Sequence, residues 1–130
     1  MSMKKTVVPI LLATAWIGLS EFARGSFLLR PHWVDHYAKL GLVFPEKAAI
    51  GAVWGLWSLL FAAAIYVIAK KFTLVQTALL AWFVGFVLMW VVIANLGVLP
   101  YGIMPLAIPL SLLEAYVAAL IVKKIPSPRV

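Results

Sequence analysis

Apolar residues run along this chain in four long blocks, with the polar residues gathered between them. Residues 48–69 and 72–94 hold no charged side chain. Each block exceeds the ~20 residues a helix needs to cross the hydrocarbon of a bilayer. The block over 6–29 is interrupted by Glu21 and Arg24, and the block over 101–122 by Glu114. The pattern predicts an all-α membrane protein. Residues 1–130 form a single four-helix transmembrane domain with spans near 6–29, 48–69, 72–94 and 101–122. Pro9 falls in a first turn, where a missing N–H costs little. Pro31 is expected to end the first span, because the residue before a proline avoids the helical region.

Composition strengthens this picture. The chain is 65% apolar and 12% charged, whereas soluble domains sit nearer half apolar and a quarter charged. A small globule has too much surface for its volume to hide that excess. The net charge of +7 does not point to nucleic acid, because the basic residues sit in short clusters between apolar blocks and not along one face. With no cysteine, disulfides, thiol chemistry and cysteine-held metals are excluded. The start resembles a signal peptide, with Lys4 and Lys5 before an apolar run and Ala13-Thr14-Ala15 as a cleavage-like site. The run continues through Trp16, Ile17 and Leu19, so it reads as the first span.

Lysine and arginine set the expected orientation. Lys4, Lys5, Lys70, Lys71, Lys123, Lys124 and Arg129 flank the spans on one side. Arg30, Lys39 and Lys47 lie on the other, diluted by Asp35 and Glu46. The expectation is a multi-pass protein of the cell (cytoplasmic, or inner) membrane with both termini cytoplasmic and the lipid bilayer as its main partner.

Lipid is as apolar as leucine, so helices associate through close packing and polar contacts. Small residues recur at helical spacing: Thr14, Gly18 and Gly25 with Glu21; Gly51, Gly55, Ser58 and Ala62; Thr77, Ala81 and Gly85; Ala107, Ser111 and Ala118 with Glu114. These stripes are expected to face the bundle axis or a second copy in a homo-oligomer.

The candidate chemistry lies in the charges within the spans. Ions in hydrocarbon are costly, so they face an interior and find partners. Glu21 and Arg24, three apart, are neighbours on one helix. At ~1.5 Å per residue, Arg24 stands ~28 Å from Lys5 and Glu114 ~14 Å from Lys123. On this spacing Glu114 is not expected to touch Arg24 in straight helices. The three are expected to line one polar cavity open to the outside, where a carboxylate can exchange a proton, with Ser111 and Asn95 as further ligand- or ion-binding residues. Pro100, Pro105 and Pro109 each remove a helix hydrogen bond. The fourth helix is therefore expected to start properly only near Ile108, with Asn95 positioned to meet freed carbonyls.

Residues 32–40 read as a short interfacial helix in the first outer loop, with Trp33, Tyr37 and Leu40 on one face and an Asp35–Lys39 pair on another. His32, Asp35 and His36 make a possible loop site, since i, i+4 histidines can hold a divalent ion. A plain polar helical face carries the same spacing, and no metal or cofactor is assigned. The length and the first-span glutamate resemble the small multidrug-resistance transporters. The lysine bias, the long charged first loop and the second buried glutamate set the chain apart, so no family is assigned.

The leading functional expectation is a small integral membrane protein binding or transporting a proton, ion or small solute at Glu21, Arg24 and Glu114. A membrane-embedded enzyme using Glu and His as acid and base on a lipid-soluble substrate is the alternative. An accessory subunit of a larger membrane complex is the second.

Overall fold

A computed structural model describes residues 3–125; Arg129, counted among the basic flanks, lies outside them. All regular structure among these residues is helical. Helix α1 (Met3–Ala23) runs into a π-helical turn, Arg24–Leu28. Helix α2 (Arg30–Lys39) is short, and α3 (Ala48–Ala69) is long. Helices α4 (Leu74–Trp82) and α5 (Leu88–Asn95) form one rod through a second π-helical turn, Phe83–Val87. A 3₁₀ turn, Tyr101–Ile103, leads into α6 (Met104–Lys124). Four of these rods, of 22 or 24 residues, are long and apolar enough to cross a membrane.

The rods alternate in direction and pack as a bundle, with α6 against α1, α3 and α4. The core they share mixes buried small residues, Ala62, Ala81, Ala115, Ala118 and Ala119, with the large side chains of Ile17, Phe61, Ile65 and Phe86. Where the small residues meet, the backbones can approach closely, the packing that small helix-face residues allow. Thr77, Ser111, Glu114 and Ala107 from the predicted stripes are also buried. Gly51 and Gly55 are not. Both are exposed, and a Cβ at either would meet nothing within 4 Å, so that part of the α3 stripe does not pack within the chain.

One end of the bundle is the lysine end. There Lys123 Nζ donates to the Ala69 carbonyl at 2.9 Å, and Lys70 Nζ lies 5.0 Å over the Tyr66 ring. Thr73 and Gln76 form a reciprocal capping box that starts α4, satisfying two otherwise unpaired N–H groups.

The other end is covered by α2. The first span does stop just before Pro31, at Leu28, although Pro31 itself is helical. It occupies the first turn of α2, where its missing N–H has no partner to lose. Leu29, Leu99, Ile103 and Ala107 form a second apolar cluster with Trp33, Trp90 and Ile93 against it. Trp33 and Tyr37 pack on Phe44, at 5.9 and 5.2 Å between ring centroids, while Leu40 is exposed. The predicted Asp35–Lys39 pair is not among the ion pairs of the described residues; the loop is clasped instead by Arg30 and Glu46. Helices α2 and α5 both end at glycines with positive φ, Gly41 and Gly97. At each, the next two N–H groups turn back onto the last helical turn, Gly41 to Ala38 and Leu42 to Tyr37, Gly97 to Ala94 and Val98 to Ile93. Only glycine takes that left-handed conformation without penalty.

Helix α6 begins at Met104, four residues ahead of the expected start. Pro105 sits in its first turn, where no N–H is needed, and Pro109 is carried inside the helix. Asn95 does not serve as a cap; it is exposed, and the Gly97 motif closes α5.

The exposed clasp has a simple pH response. Hydrogen bonds from Arg30 hold the Glu46 carboxyl below its ordinary range. The interaction is present above that range and lost as pH falls through the lowered value. An NMR titration of Glu46 should show this, and Arg30→Gln should return the carboxyl to its ordinary range.

Candidate functional site

Three ionisable side chains from two helices meet in the middle of the bundle. Arg24 Nη1 donates to Glu114 Oε1 at 3.0 Å, and Arg24 Nη2 donates to Glu21 Oε2 at 2.5 Å. Glu114 is fully buried and Arg24 nearly so, while the Glu21 side chain keeps 14% exposure. The Arg24–Glu114 contact corrects the expectation from backbone rise. Side chains lean toward the N-terminus of their own helix. In α1 that direction is the lysine end, and in the antiparallel α6 it is the loop end. Arg24 and Glu114 therefore lean toward each other and close a gap that helix rise alone leaves open.

Further groups hold Glu114. Ser20 Oγ donates to its Oε1 at 2.6 Å, and Trp16 Nε1 donates to its main-chain carbonyl at 2.9 Å. Trp16, Ser20 and Arg24 are spaced i, i+4, i+8 and so share one face of α1. That spacing is visible in the sequence, on a different face from the stripe of Thr14, Gly18, Glu21 and Gly25. Arg24 also lies 5.5 Å from the centroid of Phe86, which packs on Trp57, Phe61 and Trp90. A guanidinium over an aromatic face gains a cation–π attraction, strongest where water is absent. Arg24 opens one π-helical turn and Phe86 lies inside the other. Such turns often occur at functional positions; no residue pattern along the chain marked either one.

Glu114 Oε1 thus accepts two hydrogen bonds, whereas its Oε2, also buried, has no hydrogen-bond partner. A buried polar atom left unpaired is costly and calls for an explanation. Neither further expected residue meets it. Ser111, one turn before Glu114 on α6, is buried and occupied: it accepts from Trp82 Nε1 at 2.9 Å and donates to the Ile108 carbonyl. Asn95 is exposed at the end of α5.

The chain matches no protein-family model, no curated protein and no solved structure. What the site can do therefore rests on its own geometry.

The three loop residues belong to a different place. His32, Asp35, His36 and Lys39 line a cleft of about 300 Å³ with Pro100, Tyr101 and Gly102. His36 Nε2 lies 2.8 Å from the Gly97 carbonyl; a carbonyl only accepts, so this nitrogen carries the proton. His36 thereby ties α2 to the turn between α5 and α6. Among the described residues no three or more His, Asp or Glu side chains are grouped to hold a metal ion.

Proposed function

We propose that this chain spans a membrane with its lysine end cytoplasmic, and that Glu21, Arg24 and Glu114 bind and exchange a proton or small cation during transport. The observation that carries this reading is the unpartnered Glu114 Oε2 beside a shared guanidinium. With both carboxyls ionised the triad holds one negative charge in excess. Hydrocarbon surroundings do not tolerate such an imbalance without a counter-charge. One proton or one monovalent cation balances it, and the bare oxygen is where that charge can be received. The paired lysines at one end support the orientation through their attraction to the cytoplasmic side.

The enzyme alternative asks Glu and His to converge. The histidines instead line the loop cleft, and no histidine bonds to the triad. The triad itself supports exchange of charge and not acid–base attack on a substrate.

The test is proton flux in liposomes containing the purified protein, followed with a trapped pH-sensitive dye under an imposed gradient. Glu114→Gln keeps the shape and removes the charge. It should lower flux to that of protein-free vesicles. Flux equal to the unaltered protein would remove Glu114 from the function.

A further inference from the structure

The polar face of α2 looks into a cleft and not into open water. His32, Asp35, His36 and Lys39 recur at i, i+3, i+4 and i+7, one side of a helix. All four line the cleft of about 300 Å³, opposite Pro100, Tyr101 and Gly102. Two contacts fix α2 there. Trp33 packs on the apolar cluster of Leu29, Leu99 and Ile103, and His36 Nε2 bonds to the Gly97 carbonyl. The far wall comes close at Gly102, where a Cβ would stand 3.7 Å from His32 Nδ1. Asp35 and Lys39 carry opposite charges one turn apart, a spacing at which such residues commonly pair. Yet neither takes part in a salt bridge among the described residues. Both charges are therefore available to a molecule in the cleft.

The volume is at the small end of ligand sites. A simple anion or a simple cation would meet one like charge there, whereas a ligand carrying both charges meets an opposite charge at each end. At this spacing the two Cβ atoms are about 6 Å apart, which suits an ammonium and a phosphate joined by a two-carbon bridge. Quaternary ammonium groups are held in cages of aromatic rings. Among the described residues Tyr101 alone brings an aromatic ring to the lining, so a primary ammonium fits better. We propose that this cleft binds an aminoethyl phosphate, with Lys39 on the phosphate and Asp35 on the ammonium. Two sources carry that chemistry, the headgroup of phosphatidylethanolamine and the free phosphoester. The cleft lies where the apolar rods Lys5–Leu28 and Tyr101–Lys124 reach their loop ends, the depth of the headgroups if those rods cross a bilayer. The lipid source rests on the membrane-spanning reading above. Neither source needs proton exchange at Glu114.

The test is titration calorimetry of the purified full chain in detergent, with the heat of protein-free micelles subtracted. The probes are short-chain phosphatidylethanolamine, phosphatidylcholine and phosphatidylglycerol with the same acyl chains, and free phosphoethanolamine. The ethanolamine lipid should bind more tightly than the other two lipids. Asp35→Asn should erase its advantage over phosphatidylglycerol, which has no ammonium to lose. Lys39→Gln should weaken the ethanolamine lipid about tenfold, the effect of losing one hydrogen bond to a charged group. Asp35 and Lys39 are exposed and both replacements keep the size of the side chain, so the variants should fold. Lys47→Gln, at the same end but outside the lining, should leave binding unchanged. Binding of the lipid alone would assign the cleft to the headgroup, and equal or tighter binding of free phosphoethanolamine would assign it to the soluble ester. No binding of either ethanolamine probe would overturn the proposal, as would equal affinity for all three lipids or unchanged binding in both variants. The titration involves no transport, so a failed flux test at Glu114 leaves its result standing.

Discussion

Replacing Arg24 with methionine should cost this protein about 3–5 kcal/mol of stability, the range for removing one partner of a buried ion pair. Arg24 donates to both Glu21 and Glu114, so its loss leaves two carboxylates close together with no cation between them. Repulsion and desolvation then act in the same direction. The measurement is unfolding in mixed detergent micelles followed by tryptophan fluorescence. The decisive variant is the triple replacement Glu21→Gln, Arg24→Met, Glu114→Gln. It removes the charges as a set, so most of the lost stability should return. If Arg24→Met alone unfolds like the unaltered protein, the triad is not the polar centre of the bundle.

Gly85→Ala should be the most damaging single-methyl change in the chain. A Cβ at Gly85 would stand 2.5 Å from Phe61 Cε1 and 2.6 Å from its Cζ. Phe61 cannot readily move away: it stacks on Trp57 with ring centroids 4.9 Å apart and meets Phe86 edge-on. Overfilling a packed site costs roughly 1–3 kcal/mol, against which the helix-propensity gain of leaving glycine is at most about 1 kcal/mol. The same unfolding assay should show Gly85→Ala destabilised. Phe61→Leu, which removes the ring, should relieve that loss in the double variant. An additive double variant would mean the two positions do not meet. By contrast, Gly55→Ala adds a methyl to open space and should be neutral or slightly stabilising.

The contrast between Gly85 and Gly55 shows how far the chain could be read unaided. Both belong to small-residue stripes at the same helical spacing, and the spacing is silent on which one is filled by a neighbour's ring. Similarly, the two carboxylates and the arginine within the spans point to one polar cavity open to the outside; the three side chains converge, but Glu114 is fully buried. The hydrogen-bond partners Ser20 and Trp16 are legible as an i, i+4, i+8 face with Arg24, but the spacing alone does not say that this face meets Glu114. The direct Arg24–Glu114 contact lies beyond what backbone rise predicts, because the lean of both side chains closes the gap.

The linear order of residues determined by itself that there are four long apolar helices, where they begin and end to within a few residues, and which ionisable groups they carry. That much follows because the affinity of a segment for an apolar surrounding is a sum over the segment's own residues. The tertiary structure alone decided that Pro105 starts α6 instead of breaking it, that Arg24 and Phe86 each belong to a π-helical turn, and that one oxygen of Glu114 is left bare. Each of those depends on the direction of side chains and on what stands opposite them in space, a quantity no sum along the chain contains.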